Sequence, residues 1–303
     1  MAASVGPDGQ VVTLWAALQD LERLRSVTTS PGFATFPDAR SARPVAARVS
    51  THFPKAGEST AIKELSLAHA DVQPLPDGRV LVVGARCRWR PEGPDRNAII
   101  YDADGTVRAE ATLGDGIEHL LTTRSGQVWV GYFDEGIFGN YGWGGPGPAG
   151  IGSSGLVRFS SDLEPTYTFP SDGNEPSGFI SDCYALNVDG EDAWTSYYTD
   201  FPIVRVRDEA VAGWRNPVRG AKALAVDGTR VALFGGYGEA CARLVVGELE
   251  SEDFQPECEY RVVLPDGKTL PPKTQVIGRG FDLHFLTGDD WYRLDLEQIP
   301  RLA

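Results

Sequence analysis

The chain is poor in the residues that mark the commonest chemistries. It has four cysteines, four histidines and one methionine in 303 residues. Cys87, Cys183, Cys241 and Cys258 form no CxxC pair, and the histidines are not at zinc-finger spacing. A thiol-ligated metal or a disulfide scaffold is therefore not the expectation, and reduced thiols in the cytoplasm are. No apolar run is long enough to span a bilayer. The opening MAASVGPDGQ has neither a basic nor an apolar region, so no signal peptide is expected. Basic residues are outnumbered, 28 against 42 acidic, giving a formal charge of −14. That balance argues against a nucleic acid or an anionic membrane as partner. GxSxG, Walker A and HExxH patterns are missing, and no Rossmann fingerprint follows a strand. The glycine-rich stretch from Gly142 to Gly155 lacks the Lys-Ser/Thr ending of a phosphate loop.

What the chain has in quantity is glycine (35), proline (21) and a recurring unit. The unit is a short apolar run, a tight turn of Asp-Gly type and a second β-rich run. It reads PDGQVVTLW from Pro7, PDGRVLVVG from Pro76, RSGQVWVGY from Arg124, VDGEDAWTS from Val188, VDGTRVALF from Val226 and GRGFDLHFL from Gly278. A turn residue followed by glycine reverses the chain between two twisted strands, and the alternating Val, Leu, Trp and Phe suit a strand. Six repeats at a loose period of about 40 to 65 residues imply an all-β, six-bladed β-propeller with four-stranded antiparallel blades around a central channel. The repeats run nearly from end to end, so a single domain over residues 1–303 is expected. The two chain ends are expected to complete one blade between them. Residues 1–60 are the hardest to read. The stretch LWAALQDLERLR suits either an amphipathic helix, with Leu14, Leu18, Leu21 and Leu24 on one side, or a continued strand. SPGFATFPDARSARP reads as loop.

The short, uniform turns at Asp77, Ser125, Asp189 and Asp227 suit a structural face. The long second-to-third-strand connectors converge on the opposite mouth. Counting back from the turns, Glu118 and Asp182 take equivalent positions at the heads of innermost strands, and Asp71 stands close to the same level. His69, His119 and Lys222 fall near the same rim. Carboxylates there either bond backbone amides and stitch the blades, or line a pocket in which one pKa rises toward neutrality. The connector from Tyr132 carries Tyr132, Phe133, Phe138, Tyr141 and Trp143 among glycines and reads as a flexible aromatic lid or a cover over blade ends. SYYTDF adds Tyr197 and Tyr198. In ARCRWRPEGPDR, Arg86, Arg88 and Arg90 alternate, which would turn three guanidiniums to one side for a carboxylate or phosphate, or pair them with Glu92 or Asp95.

The repeated turn–strand unit resembles that of six-bladed propellers of SMP30/gluconolactonase, NHL and strictosidine-synthase-like organisation. The last of these implies a Pictet–Spengler-type condensation of an indole-type amine with an aldehyde. Glu118 would be the base, assisted by Asp182 or His119. Tyr132, Trp143 and Tyr197 would hold the amine, and the Arg86, Arg88 and Arg90 side an acidic group, with Asp71 and Lys222 at the rim. Gluconolactonase-like propellers imply instead a metal-dependent lactone hydrolase, with Glu118, Asp182, Asp71 and Gln275 as oxygen ligands. A third reading is a non-catalytic propeller that binds a peptide or sugar. Of these, a small-molecule enzyme working by carboxylate acid/base chemistry is the leading expectation, its substrate bearing aromatic and acidic groups and no cofactor required.

Overall fold

The structure is a computed structural model, and it describes residues 2–29, 35–53, 55–170 and 177–300. The chain divides into two compact units, Met1–Thr168 and Phe169–Ala303. It is all-β, a six-bladed propeller, with only 9% of residues helical.

In the first unit β1 (Ala2–Val5), β2 (Val11–Ala16), β5 (Arg40–His52) and β6 (Ala56–Leu67) form the first blade. Between β2 and β5 lie the one-turn helix α1 (Leu21–Leu24) and a separate hairpin, β3 (Val27–Thr29) with β4 (Thr35–Pro37). The second blade is β7 (Ala70–Pro74), β8 (Val80–Gly84), β9 (Ala98–Tyr101) and β10 (Val107–Ala111). The third is β11 (Ile117–Thr122), β12 (Val128–Tyr132), β13 (Leu156–Phe159) and β14 (Pro165–Thr168), with helix α2 (Asp134–Phe138) in the β12–β13 connector.

In the second unit β15 (Asp182–Asp189), β16 (Asp192–Tyr198), β17 (Ile203–Arg207) and β18 (Ala210–Trp214) form one blade. β19 (Ala223–Asp227), β20 (Arg230–Phe234), β21 (Arg243–Glu250) and β22 (Asp253–Arg261) form the next. β23 (Gln275–Arg279), β24 (Asp282–Thr287) and β25 (Asp290–Asp295) form the last, which has three strands among the described residues.

Two expectations for the chain ends are corrected. The first blade is complete within residues 2–67, so it does not borrow a strand from the C-terminal blade. The segment from Leu14 is neither one long helix nor one long strand. β2 ends at Ala16, and a 3-10 turn at Leu18–Asp20 leads into α1. Of SPGFATFPDARSARP, read as loop, residues 30–34 lie outside the described residues; Thr35–Pro37 is β4, and Arg40 opens β5.

Burial falls from the middle strands of a blade to its outermost strand. All of β8, VLVVG, is buried, whereas the outermost β10, VRAEA, is half-buried or exposed throughout. A strand covered on both faces reads as a continuous apolar run, and an edge strand does not. The core therefore lies between neighbouring blades. Val12, Leu14, Val72, Val80, Val82 and Ile99 fill one such layer in the first unit. Leu224, Val231, Leu233 and Val245 belong to one in the second unit, and Ala232, Phe234, Leu283 and Phe285 to another.

The repeated turns come in two kinds. In the first unit residues 6–10, 75–79 and 123–127 connect paired strand ends. In the second unit Asp189 pairs with Asp192 and Asp227 with Arg230, leaving two-residue loops that begin at Gly190 (φ 59) and Gly228 (φ 62). Glycine at the first position of a two-residue hairpin supplies the positive φ that matches the twist of the strands.

Two buried amides tie innermost strands together. Gln73, on β7, donates through Nε2 to Ser4 Oγ and to the Val5 carbonyl (3.3 Å) on β1, and its Oε1 accepts from Thr122 N–H (3.2 Å) and Oγ1 (3.0 Å) on β11. Asn187, on β15, donates to the carbonyls of Leu224 (3.0 Å) on β19 and Gly280 (2.7 Å) after β23, and accepts from Gly280 N–H (2.8 Å). Both side chains are fully buried. The stitching that the sequence offered to carboxylates is done by neutral amides, which have no charge to desolvate.

His284 on β24 is fully buried, its Nδ1 accepting from Trp291 Nε1–H (3.1 Å) and its ring stacked on that indole. Burial, then the charges of Arg293 and Arg279, lower its pKa from 6.5 to about 4. Below pH 6.5 the unfolded chain takes up a proton that the folded chain refuses, so this group costs stability as pH falls toward 4. His284→Phe fills similar space without titrating. Between pH 7 and pH 4 the wild type is expected to lose about 3 kcal/mol relative to that variant in guanidinium unfolding. Parallel pH profiles would refute the buried neutral histidine.

Candidate functional site

The heads of β7 and β11 are set side by side by a run of backbone bonds. Ala85 N–H donates to the His69 carbonyl (3.2 Å), and Ile117 N–H donates to the Ala85 carbonyl (3.1 Å). The β11–β12 register shifts between Ile117 and His119, so Glu118 sits at the irregularity and its side chain is exposed. Asp71, paired with Val83 across β7–β8, is part-buried. Burial first, and the charge of Glu118 second, raise its pKa from 3.8 to about 7. Position in the sequence pairs Glu118 with Asp182; in the first unit the carboxyl with the raised pKa beside Glu118 is Asp71. His119 is half-buried. His69 takes a positive φ of 47 and bonds the Ser26 carbonyl through Nε2 (2.8 Å), which anchors the segment before β3.

The arginine connector corrects a second expectation. β8 ends at Gly84, and residues 85–97 are not a strand, so Arg86, Arg88 and Arg90 do not alternate across a sheet. Arg86 is buried, 5% exposed. Its Nε and Nη2 bond Asp115 Oδ1 (3.0 Å) and Oδ2 (2.8 Å), and its Nη1 meets Glu135 Oε2 (2.6 Å). The ring of Tyr141 covers the guanidinium at 4.1 Å. Asp115 also accepts Cys87 N–H (2.7 Å). Burial still outweighs these partners and raises the Asp115 pKa to about 6. This is a pillar that holds the connector, and breaking such a buried pair is costly. Arg90 is paired with Asp95 (2.7 Å). Arg88 is exposed, its guanidinium 5.4 Å from the Tyr141 ring centroid.

Tyr132 and Trp143 of the connector, and Tyr197, are buried structural anchors, whereas Phe138 is exposed. Tyr132 is fully buried with its hydroxyl on the Leu113 carbonyl, and a Cβ at Gly152 would stand 2.3 Å from its ring. Trp143 is buried and donates Nε1–H to the Cys87 carbonyl (2.8 Å). In the second unit Tyr197 is buried, its hydroxyl on the Ser177 carbonyl and its ring against Phe169. The connector from Tyr132 is a packed plug, pinned by Trp89 N–H to Tyr141 O (2.9 Å) and by Gly144 N–H to Pro148 O (2.8 Å).

Asp182 opens β15 in the second unit, half-buried and paired with Tyr198. Lys222 is exposed with Nζ 3.6 Å from the Tyr184 ring centroid. Around them Tyr184, Tyr198, Phe201 and Tyr237 make an edge-to-face cluster, with Tyr237 Oη donating to Tyr184 Oη (2.9 Å). Only Lys222, Asp182 and the SYYTDF segment of this cluster were flagged by the sequence. Among the described residues no group of three or more His, Cys, Asp and Glu side chains is placed to hold a metal ion, and no helix is long and apolar enough to cross a membrane.

The six blades define the chain as a β-propeller. The model of the YxzG family matches residues 171–226, less than half of the chain. No curated protein matches. Among solved structures, AztD from Citrobacter koseri is similar at 12% identity over 100% of this chain and 84% of that one, with a TM-score of 0.45. Hsv2p of Kluyveromyces lactis is 12% identical over 85% of this chain and 70% of that one (TM-score 0.45). The Cps50 (Swd1) β-propeller domain of Myceliophteria thermophila is 7% identical over 98% and 83% (TM-score 0.49). Likeness at this level is likeness of fold and assigns no activity.

Proposed function

We propose that the chain is a small-molecule enzyme that moves a proton with Asp71, whose pKa is raised by burial and, second, by the charge of Glu118. The supporting observation is the Asp71–Glu118 pair: a part-buried carboxyl raised to about 7 beside an exposed carboxylate at adjoining strand heads. A group titrating near the working pH is available both to accept and to donate. The indole pocket is not retained, because Tyr132, Trp143 and Tyr197 are engaged in packing. The reaction class is therefore proton transfer at a carbon or nitrogen of a polar substrate, with a Pictet–Spengler-type condensation as one member of it.

The test is a carboxyl-carbon NMR titration of the full chain, alongside a turnover screen of amine–aldehyde pairs and lactones. Asp71 is expected to titrate near 7, and at least one class to be consumed in a pH-dependent way. A titration below pH 5 would overturn the reading. The exposed tyrosine cluster around Lys222 favours a second reading, a sugar- or peptide-binding propeller. In that case Tyr237→Ala would abolish retention on a glycan or peptide array, and the screen would find no turnover.

A further inference from the structure

We propose that the groove between Phe36 and Arg88 is a binding site for a planar aromatic monocarboxylate. It stands apart from the Asp71 reading, since its measure is binding and not turnover. The groove lies wholly in the first unit and has a volume of about 580 Å³, within the range of small-ligand pockets. Thr28, Phe36, Arg88, Trp89, Asn140 and Tyr141 supply most of its lining.

Its aromatic floor is fixed before any ligand arrives. Tyr141 holds a positive φ of 50, its hydroxyl donates to the Pro37 carbonyl, and its ring lies edge-on to Phe36 at 6.1 Å. Arg86 lies against that ring at 4.1 Å and is itself pinned by Asp115 and Glu135. A ring held on several sides loses little freedom when a ligand stacks on it.

The charge is specific as well. Arg86 and Arg90 each have a carboxylate partner, but among the described residues the Arg88 guanidinium has none. Asn140 spends its Oδ1 on Tyr141 N–H (2.7 Å), and its Nδ2 has no protein acceptor among the described residues. The Arg88 guanidinium, 5.4 Å from the Tyr141 ring centroid and without a carboxylate partner, and the Asn140 amide suit the two oxygens of a single carboxylate. A dianion would leave one charge uncompensated close to Asp95 and Glu135, in a chain of net charge −14.

The test uses 1-naphthoate, followed by its fluorescence and by calorimetry on the full chain. One-to-one binding is expected. Arg88→Gln should weaken it at least tenfold, the usual worth of a hydrogen bond to a charged group. The neutral 1-naphthamide should also bind at least tenfold more weakly, and 1-naphthyl phosphate more weakly than the carboxylate. Arg108→Gln, at an exposed pair with Asp102 on the outer β10, should change nothing. Tyr141→Leu should lose the stacking and weaken the acid and the amide alike. Equal affinity for acid and amide, or Arg88→Gln within twofold of wild type, would overturn the site. Tighter binding of the phosphate would overturn its single-charge character.

Discussion

Asn187→Ala is expected to lower the unfolding free energy by about 2–4 kcal/mol, a drop of several degrees in Tm for a chain of this size. The fully buried amide ties β15 to β19 and to the turn after β23, through Leu224 O, Gly280 O and Gly280 N–H. Gly280 keeps second partners when the amide goes: its N–H also reaches the Val188 carbonyl (3.2 Å), and its carbonyl accepts from Val226 N–H (2.9 Å). The loss is therefore less than three full desolvation penalties, which run about 1–3 kcal/mol each. Asn187→Asp should cost more than the alanine, because it removes both donors and buries a charge facing two carbonyls. Gly278→Ala probes the same junction from the other side. A Cβ there would stand 1.9 Å from the Leu224 carbonyl oxygen, so β23 would have to leave β19. That variant is expected to lose about 3 kcal/mol or more. Guanidinium unfolding followed by tryptophan fluorescence measures all three. Asn187→Ala within 1 kcal/mol of wild type would mean that the amide bridges are incidental to the fold.

The blades were legible because their information is local. A turn with glycine at a fixed place and an alternating strand on either side need no knowledge of the rest of the chain. The first blade escaped for the opposite reason. Its outer strands β5 and β6, RSARPVAARVSTH and AGESTAIKELSL, are long, polar and register-shifted, with Pro44 inside the irregular stretch between Arg40 and Val45. Proline in a strand argues against that strand until an edge or bulge is seen. Of the candidate site, the placing of Asp71 and Glu118 near the heads of β7 and β11 was legible by counting along a strand. It failed for Arg86, Arg88 and Arg90 because alternation needs a strand, and Gly84 ends it. It failed for Tyr132, Trp143 and Tyr197 because an aromatic among glycines can cap a core as readily as it can stack on a ligand. Gln73 and Asn187 had a signal that was passed over: a lone amide in an apolar run, one to three residues before the turn. A buried amide in such a run needs partners from other strands, which makes it a marker of where blades meet.

Asp71→Asn is expected to reduce turnover roughly 10²- to 10⁴-fold, the worth of a positioned proton transfer, while making the protein more stable at pH 8. The second effect follows from linkage. The folded chain holds the Asp71 proton up to about pH 7, whereas the unfolded chain releases it near pH 4. Between those values the folded state binds more protons, so stability falls as pH rises through the window and the deficit persists above it. Three pKa units would correspond to about 4 kcal/mol; side-chain exposure reduces this to about 2 kcal/mol, and that is the gain expected for the neutral asparagine at pH 8. At pH 4, where the wild-type carboxyl is also neutral, the two proteins should be alike. Glu118→Gln separates this role from simple burial. It removes the second cause of the raised pKa, so the acid limb of the pH–rate profile should move to lower pH with most of the maximal rate retained. A structural carboxylate would give the reverse pattern: Asp71→Asn less stable at every pH, turnover lost only in proportion to unfolded protein, and a pH–rate profile unmoved by Glu118→Gln. Stability gained and rate lost, from one atom exchanged at the head of β7, is the outcome that the paired carboxylates require.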